Sequence, residues 1–215
     1  MTSSATSSYI FKKLLKLKTE VIPILDVGIM NAKGIWEEVR IKHDKVPWQK
    51  LIWFPLHIPK FSVIAWLAIL DRLPTRERLL RIGLTINGQC ILCNAAFETR
   101  NHLFADSIMA TSLWNGILHL SLLSLPHMSW ENKLTWAYST WKGKSLLTSI
   151  MKIARNAFIY KIWEERNRRM FQGKSRTAED LLDSIKESVG AQHRNRDFNR
   201  LDNVNRLLCN NWNIG

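Results

Sequence analysis

The chain has 215 residues, of which 46% are hydrophobic and 23% charged, and it contains only 9 glycines and 6 prolines. This composition excludes a disordered chain, and the length suits one domain or two small ones. The 31 Lys and Arg residues against 18 Asp and Glu residues give a net charge of +13, which favours an anionic partner such as nucleic acid. Three cysteines exclude a disulfide scaffold, and no apolar run approaches the about 20 residues that span a membrane, so we expect a soluble protein.

The N-terminal segment, residues 1–32, is weakly patterned, and we predict that it is flexible or weakly ordered. Its Ser/Thr-rich start leads into FKKLLKLK with no acid before Glu20, a composition shared with organellar transit peptides. Because such patterns are common by chance, a frayed tail followed by a short basic helix is the preferred interpretation, and transit function is the alternative. We expect an intracellular protein, nuclear or cytoplasmic.

The region 33–120 is predicted to be one small helical domain. An extended segment rich in Trp and Pro precedes residue 61, and turn signals concentrate between about 84 and 100. Thr75 and Thr99 are predicted helix N-caps, and Gly83 is a predicted helix end. The helices are expected at 33–42, 61–71, 76–82, 100–106 and 109–120.

Residues 121–190 are predicted to form a C-terminal helical region packed on that domain. Residues 121–147 have a mixed pattern, and 148–171 give the strongest helix, which Gly173 ends. Thr177 opens a variant of the capping box before a further helix, which we expect to stop at Gly190. Residues 191–215 read as a polar, Asn-rich tail with at most a marginal helix. The fold class is therefore mainly α, with long C-terminal helices following a turn-rich centre.

That centre carries the chemistry-bearing motif, Cys90-Ile91-Leu92-Cys93 followed by His102. Two thiolates separated by two residues can hold one ion from a tight turn, and this spacing recurs in structural zinc sites. Asn94 tolerates the left-handed backbone that such a turn needs. Asp106 lies four residues after His102, on the same helix face, and its carboxylate is a candidate fourth ligand. The alternative, which the spacing leaves open, is two buried apolar cysteines and a core histidine.

Residues 46–104 resemble the zinc-binding domain near the C-terminus of reverse transcriptases in plant LINE-type (non-LTR) retrotransposons. The most specific pieces are WLAILDRLPTRERLLRIG and CILCNAAFETRNHLF, and FIYKIWEERNRRMFQGK at 158–174 resembles the segment that follows that domain. The resemblance implies a zinc ligand set of CxxC, His, and a Cys five residues after the His. It maps onto Cys90, Cys93 and His102, with Ser107 in place of the last Cys. It therefore implies weak zinc binding, with Asp106 or water as fourth ligand, in a chain truncated so that it lacks the polymerase.

Two groups of arginines are candidate nucleic-acid contacts. Arginine pairs with phosphate and stacks on exposed bases, and a small metal-bound turn flanked by arginines is typical of modules that bind RNA or single strands. We therefore predict non-specific binding of RNA or DNA. The alternative is that these arginines are solvated or paired with nearby acids such as Glu77 and Glu165. The candidates are Arg72, Arg76, Arg78 and Arg81 beside the cysteines, and Arg166, Arg168 and Arg169 in the strongest helix.

No motif of catalysis is recognisable. The chain has no Asp-Asp pair of the kind that holds Mg²⁺ in polymerases, no HExxH and no GxSxG, and both Gly-Lys-Ser triplets lack the earlier glycine of a phosphate loop. We therefore predict a protein that is not an enzyme. The competing interpretations are a structural or protein-interaction module that self-associates through an exposed Trp-rich surface, and a decayed retroelement fragment that binds neither metal nor nucleic acid.

Overall fold

The computed structural model describes residue 16, residues 45–194 and residues 202–215. The chain divides into two compact units, Met1–Lys45 and Val46–Gly215. The predictions for segment 1–32 and for a helix at 33–42 lie outside the described residues. The helices labelled α1 to α8 below all belong to the second unit.

The described part of the second unit is mainly helical, which confirms the predicted fold class. It contains no sheet, only one isolated antiparallel bridge between Gln89 and Phe97. A π-helical turn, His102–Asp106, precedes α4. The helices are α1 (Gln49–Ile52), α2 (Pro59–Ile69), α3 (Arg76–Arg81), α4 (Ile108–Leu120), α5 (Trp130–Thr140), α6 (Leu146–Gln172), α7 (Ala178–His193) and α8 (Asn203–Trp212). Over the residues described, none of these helices has the combined length and apolar character that a membrane crossing requires.

Side-chain caps and proline set the starts of these helices. Pro59 occupies the first turn of α2, where its missing N–H costs nothing. Thr75 accepts a hydrogen bond from the Arg78 amide at the start of α3, and Thr177 and Asp180 form the reciprocal capping box of α7. At the other end of α6, Gly173 takes up a left-handed backbone with φ +63°. The signals at Thr75, Thr177 and Gly173 were predicted from the sequence, whereas the start at Pro59 was not, because this helix was expected at 61–71.

Helix α6 is the centre of the core. Its first two-thirds are buried almost all round, because α2, α4 and α7 pack against it. The rings of Trp114 in α4 and Phe158 in α6 meet edge to face, with centroids 5.3 Å apart. The last turns of α6 are buried on one face only. The outer face of these turns carries polar side chains together with the exposed Phe171.

Two details of the sequence prediction were wrong. Helix α7 does not stop at Gly190 but continues to His193. A Cβ at Gly190 would lie 2.9 Å from the carbonyl oxygen of Asn213, so the glycine allows a close approach of the chain after α8. The segment 121–147, predicted only as mixed, contains the whole of α5, which Ser129 caps.

Candidate metal centre

The segment between α3 and the π-helical turn folds back on itself as a short loop, residues 87–99, which we call the knuckle. The amide of Cys90 donates to the carbonyl of Ala96, and the amide of Asn94 donates to the carbonyl of Cys90, both at 2.7 Å. Asn94 has φ +54°, the left-handed conformation that its position after the second cysteine predicts. A Cβ at Gly88 would overlap the ring of Phe97, so any other residue there would displace this half-exposed ring.

The knuckle brings three candidate ligands together. One donor atom each from Cys90, Cys93 and His102 lie within 4.8 Å of one another, and Cys93 Sγ is 3.1 Å from His102 Nε2. The amide of His102 donates to Thr99 Oγ1 at 3.0 Å, so the predicted cap places the imidazole at the start of its turn. In tetrahedral zinc sites the sulfur–sulfur separation is about 3.8 Å and the sulfur–nitrogen separation about 3.5 Å. The three donors therefore fit a single zinc ion with small adjustments.

The two thiols of the knuckle differ in their burial. Cys90 is fully buried and Cys93 is half-buried. Burial raises the pKa of Cys90 to about 11, although backbone hydrogen bonds at Leu92 and Cys93 act in the opposite direction. Without a cation, Cys90 is therefore a neutral thiol at neutral pH. A divalent cation would compensate buried thiolates, and two sulfurs with one imidazole are a donor set typical of zinc.

The structure does not bring Asp106 into this group. Its Oδ1 lies 3.5 Å from Nε2 of His127, and both side chains are about half exposed. Ser107, where the resemblance implies a cysteine, is fully buried. Its amide donates to the His102 carbonyl at 2.8 Å, which is the i to i+5 bond of a π-helical turn. In this π-helical turn, the residue that lies one turn after His102 is the fifth along the chain, Ser107. In an α-helix it would be the fourth, Asp106.

The arginines around α3 are largely engaged within the protein. Arg72 is exposed, and its side chain forms no ion pair with any residue that the structure describes. The other three arginines, Arg76, Arg78 and Arg81, are paired with neighbouring groups, which was the alternative interpretation of the sequence. They donate to groups close to α3, Arg76 to the carbonyl of Gln89, Arg78 to that of Asp71, and Arg81 to the carboxylate of Glu77 at 3.1 Å.

Arg166 belongs to the interior rather than to the surface. Its guanidinium is 2% exposed and lies 2.8 Å from the fully buried carboxylate of Glu98 in the knuckle. The same oxygen of Glu98 accepts the backbone amide of Arg76 at 3.0 Å. Glu98 was not predicted as a functional residue, because an isolated acid in a turn belongs to no motif. The only signal is that Glu98 is the single acid between residues 84 and 101.

Arg169 also supports the knuckle, whereas Arg168 does not. Arg169 pairs with Glu165 at 2.8 Å and donates to the carbonyl of Leu92, between the two cysteines, at 3.2 Å. Arg168 lies on the outer face of α6 and forms no ion pair or hydrogen bond with the described residues. Of the three predicted arginines in α6, only Arg168 thus remains available to an external ligand.

Most of the described tryptophans fill the core rather than form a surface. Trp53 and Trp66 are exposed, by 42% and 36%. The buried ones are Trp114, Trp130, Trp141, Trp163 and Trp212. Trp48 and Trp136 are half-buried, so a Trp-mediated contact through the described residues would rest mainly on Trp53 and Trp66.

Comparison with known proteins points to the same residues. No curated protein and no solved structure matches the chain significantly. One family model does, and it is described as zinc-binding in reverse transcriptase. The match covers residues 31–114, which is less than half of the 215-residue chain. Within that stretch, which includes Cys90, Cys93 and His102, the chain is similar to this family of zinc-binding domains.

Proposed function

We propose that the second unit is a non-catalytic zinc module that binds single-stranded nucleic acid, RNA above all, with little sequence preference. The observation that carries the proposal is the convergence of donor atoms from Cys90, Cys93 and His102 within 4.8 Å. The match of residues 31–114 to a zinc-binding family supports it. We further propose an origin in a plant LINE-type retrotransposon, which the resembling segments at 46–104 and 158–174 support.

In this proposal zinc has a structural role. The ion links Cys90 and Cys93 in the knuckle to His102 in the π-helical turn, and so fixes a loop that contributes few apolar side chains to the core. The fourth position falls to water, or to Asp106 after release from His127. Two thiolates and one imidazole bind zinc more weakly than four protein ligands, so the site is expected to lose its metal to a strong chelator.

The nucleic-acid part of the proposal rests on charge. The net charge of +13 gives the chain a long-range attraction for phosphate, and Arg72 and Arg168 are arginines that no described acid neutralises. The sequence carries no recognised motif that reads the major groove of DNA. Contacts to phosphate and to unstacked bases therefore fit better than sequence-specific reading.

Metal analysis of the freshly purified full chain tests the zinc site. We expect about one zinc per chain in the wild type and a large loss of zinc in Cys93→Ser and His102→Gln. Cys209→Ser is the matched control, because Cys209 is a half-buried thiol outside the group of three donors. Zinc near zero in the wild type after reconstitution, unchanged by Ser107→Cys, would overturn the proposal.

A second candidate function, protein interaction, is favoured by one observation. Large apolar side chains in and around the knuckle are exposed, among them Ile82 by 68%, Phe97 by 50% and Ile108 by 76%. Sedimentation and a salt-dependent RNA shift assay separate the two functions. A monomer whose RNA affinity falls as salt rises supports the first, and a self-associating chain indifferent to RNA supports the second.

A further inference from the structure

A groove of about 500 Å³ lies along the outer face of the C-terminal half of α6. Tyr160, Glu164 and Arg168 line it, and their spacing of four residues places them on one stripe of the helix. Ile64 of α2 bounds one side, and Arg176 from the segment after α6 bounds another. The volume is within the range of small-ligand sites and suits one or two nucleotides rather than a duplex.

The charge of the groove is positive. Glu164 is paired with Arg176 at 2.8 Å, which it shares with Glu165, and with Lys161 at 3.4 Å, so its carboxylate leaves no unpaired negative charge in the groove. Arg168 has no acidic partner among the residues described, and its Nε is buried without a hydrogen bond. Lys60 lies beside the groove, with its Nζ 5.3 Å from the centre of the Tyr160 ring. An anionic occupant therefore complements this surface.

The groove also carries an exposed aromatic ring. Phe171, in the last turn of α6, lines the groove and is 76% exposed, whereas Trp163 beside it is buried in the core. Exposing a phenylalanine to water is unfavourable, and a base stacked on the ring would cover it. Duplexes hide the faces of their bases, so an exposed ring beside unpaired cations suits an unstacked base of a single strand.

We propose that this groove is the single-strand binding site of the protein, with a base stacked on Phe171 and phosphates held by Arg168 and Lys60. The inference rests on the nucleic-acid part of the proposed function and adds where the strand binds. Glu164 keeps Arg176 in place and so shapes the far wall. The knuckle-facing arginines Arg166 and Arg169 take no part, because both are held by internal carboxylates.

Fluorescence anisotropy tests whether the strand binds in this groove. The measurement uses the full chain and a labelled single-stranded RNA of about 12 nucleotides, which is within the site size of one binding module. The groove variants are Arg168→Gln, Lys60→Gln and Phe171→Ala. Lys142→Gln removes one exposed positive charge elsewhere, and Ile108→Ala shortens an apolar side chain that is also 76% exposed, so they are the matched controls. Circular dichroism checks that each variant keeps its helix content.

We expect Phe171→Ala to lose about fivefold or more in affinity, since stacking is independent of charge. Arg168→Gln and Lys60→Gln should each weaken binding and reduce the salt slope by about one phosphate contact. Both controls should bind like the wild type. Duplex RNA of the same length should bind more weakly and be insensitive to Phe171→Ala.

Two results overturn the inference, and they are distinguishable. If the wild type binds RNA and the groove variants bind equally well, the groove is wrong but nucleic-acid binding stands. If the wild type fails to bind even at low salt, both the groove and the nucleic-acid part of the proposed function fall.

Discussion

Glu98 in the knuckle and Arg166 in α6 form a fully buried ion pair, with 2.8 Å between Oε1 and the guanidinium. They are 68 residues apart in the chain, so the pair ties the candidate metal loop to the central helix. The same carboxylate oxygen holds the first turn of α3 through the amide of Arg76. One oxygen thus joins three parts of the fold.

Arg166→Met is expected to destabilise the protein by about 3–5 kcal/mol, because it leaves the Glu98 carboxylate buried without its cation. Urea unfolding followed by circular dichroism measures the loss. The double variant Glu98→Gln with Arg166→Met is expected to regain part of it, since no charge then remains buried. A single-variant loss below about 1 kcal/mol would contradict the assignment of this pair to the core.

Arg155→Met is expected to have the opposite outcome, with stability equal to or above that of the wild type. Arg155 is 4% exposed, and burial lowers its pKa to about 10. In the part of the chain that the structure describes it has no carboxylate partner. It contacts the amide oxygen of Asn156 at 3.2 Å, and its guanidinium lies 5.8 Å from the centre of the Trp130 ring. Methionine fills similar volume without burying a charge. The same urea experiment measures the stability of this variant, and a loss as large as that of Arg166→Met would show that the charge of Arg155 stabilises the fold.

Lys133 predicts a pH dependence of stability. Burial lowers its pKa from 10.5 to about 8, against a weaker opposing attraction from Asp106. Between pH 8 and 10.5 the unfolded chain therefore holds a proton at Lys133 that the folded chain has lost. By linkage this group makes stability rise with pH in that window, by at most about 1.4 kcal/mol per pH unit.

The measurement is the stability difference between the wild type and Lys133→Met at pH 7.5, 8.5 and 9. Because both proteins contain the same three thiols, the difference isolates the titration of Lys133. We expect the wild type to gain on the variant as pH rises. A difference that stays constant over this range would show that Lys133 is not desolvated in the folded protein.

Ser107→Cys is expected to have two effects of opposite sign. The Ser107 hydroxyl caps α4 by accepting the amide of Ala110 at 3.2 Å, so its loss should destabilise the metal-free protein by about 1 kcal/mol. The new thiol lies one π-helical turn below His102 and is expected to tighten zinc binding. Competition with a chromogenic chelator measures the affinity. Ser121→Cys, another buried hydroxyl, is the control and should leave zinc affinity unchanged.

Local signals in the sequence were sufficient for most of the helices. Thr75, Thr99 and the Thr177–Asp180 box act within one turn of the residues they cap, so their effect can be read without knowing the fold. The same holds for the cysteine pair and Asn94, whose turn closes through neighbouring backbone groups. Cys90, Cys93 and His102 were therefore predictable as a group.

Features that depend on distant partners were not predictable. Gly190 was predicted to end a helix. The structural reason for a glycine there is the close approach of Asn213, a residue 23 positions later, which the sequence does not reveal. Arg166 and Arg168 are two residues apart in one basic run, yet one is buried against Glu98 and the other faces outward. The prediction that Asp106 is a metal ligand assumed an α-helical turn after His102, whereas the chain forms a π-helical turn there.

The last turns of α6 hold the knuckle through Arg169 on one face and carry Arg168 and Phe171 on the other. If zinc orders the knuckle, it also changes the free energy of this short stretch of helix, and so does a strand bound on its outer face. Thermodynamic reciprocity then applies. If bound zinc raises the affinity for RNA by some factor, bound RNA raises the affinity for zinc by the same factor. The weak three-ligand site would then hold its metal most tightly while the protein is bound to nucleic acid.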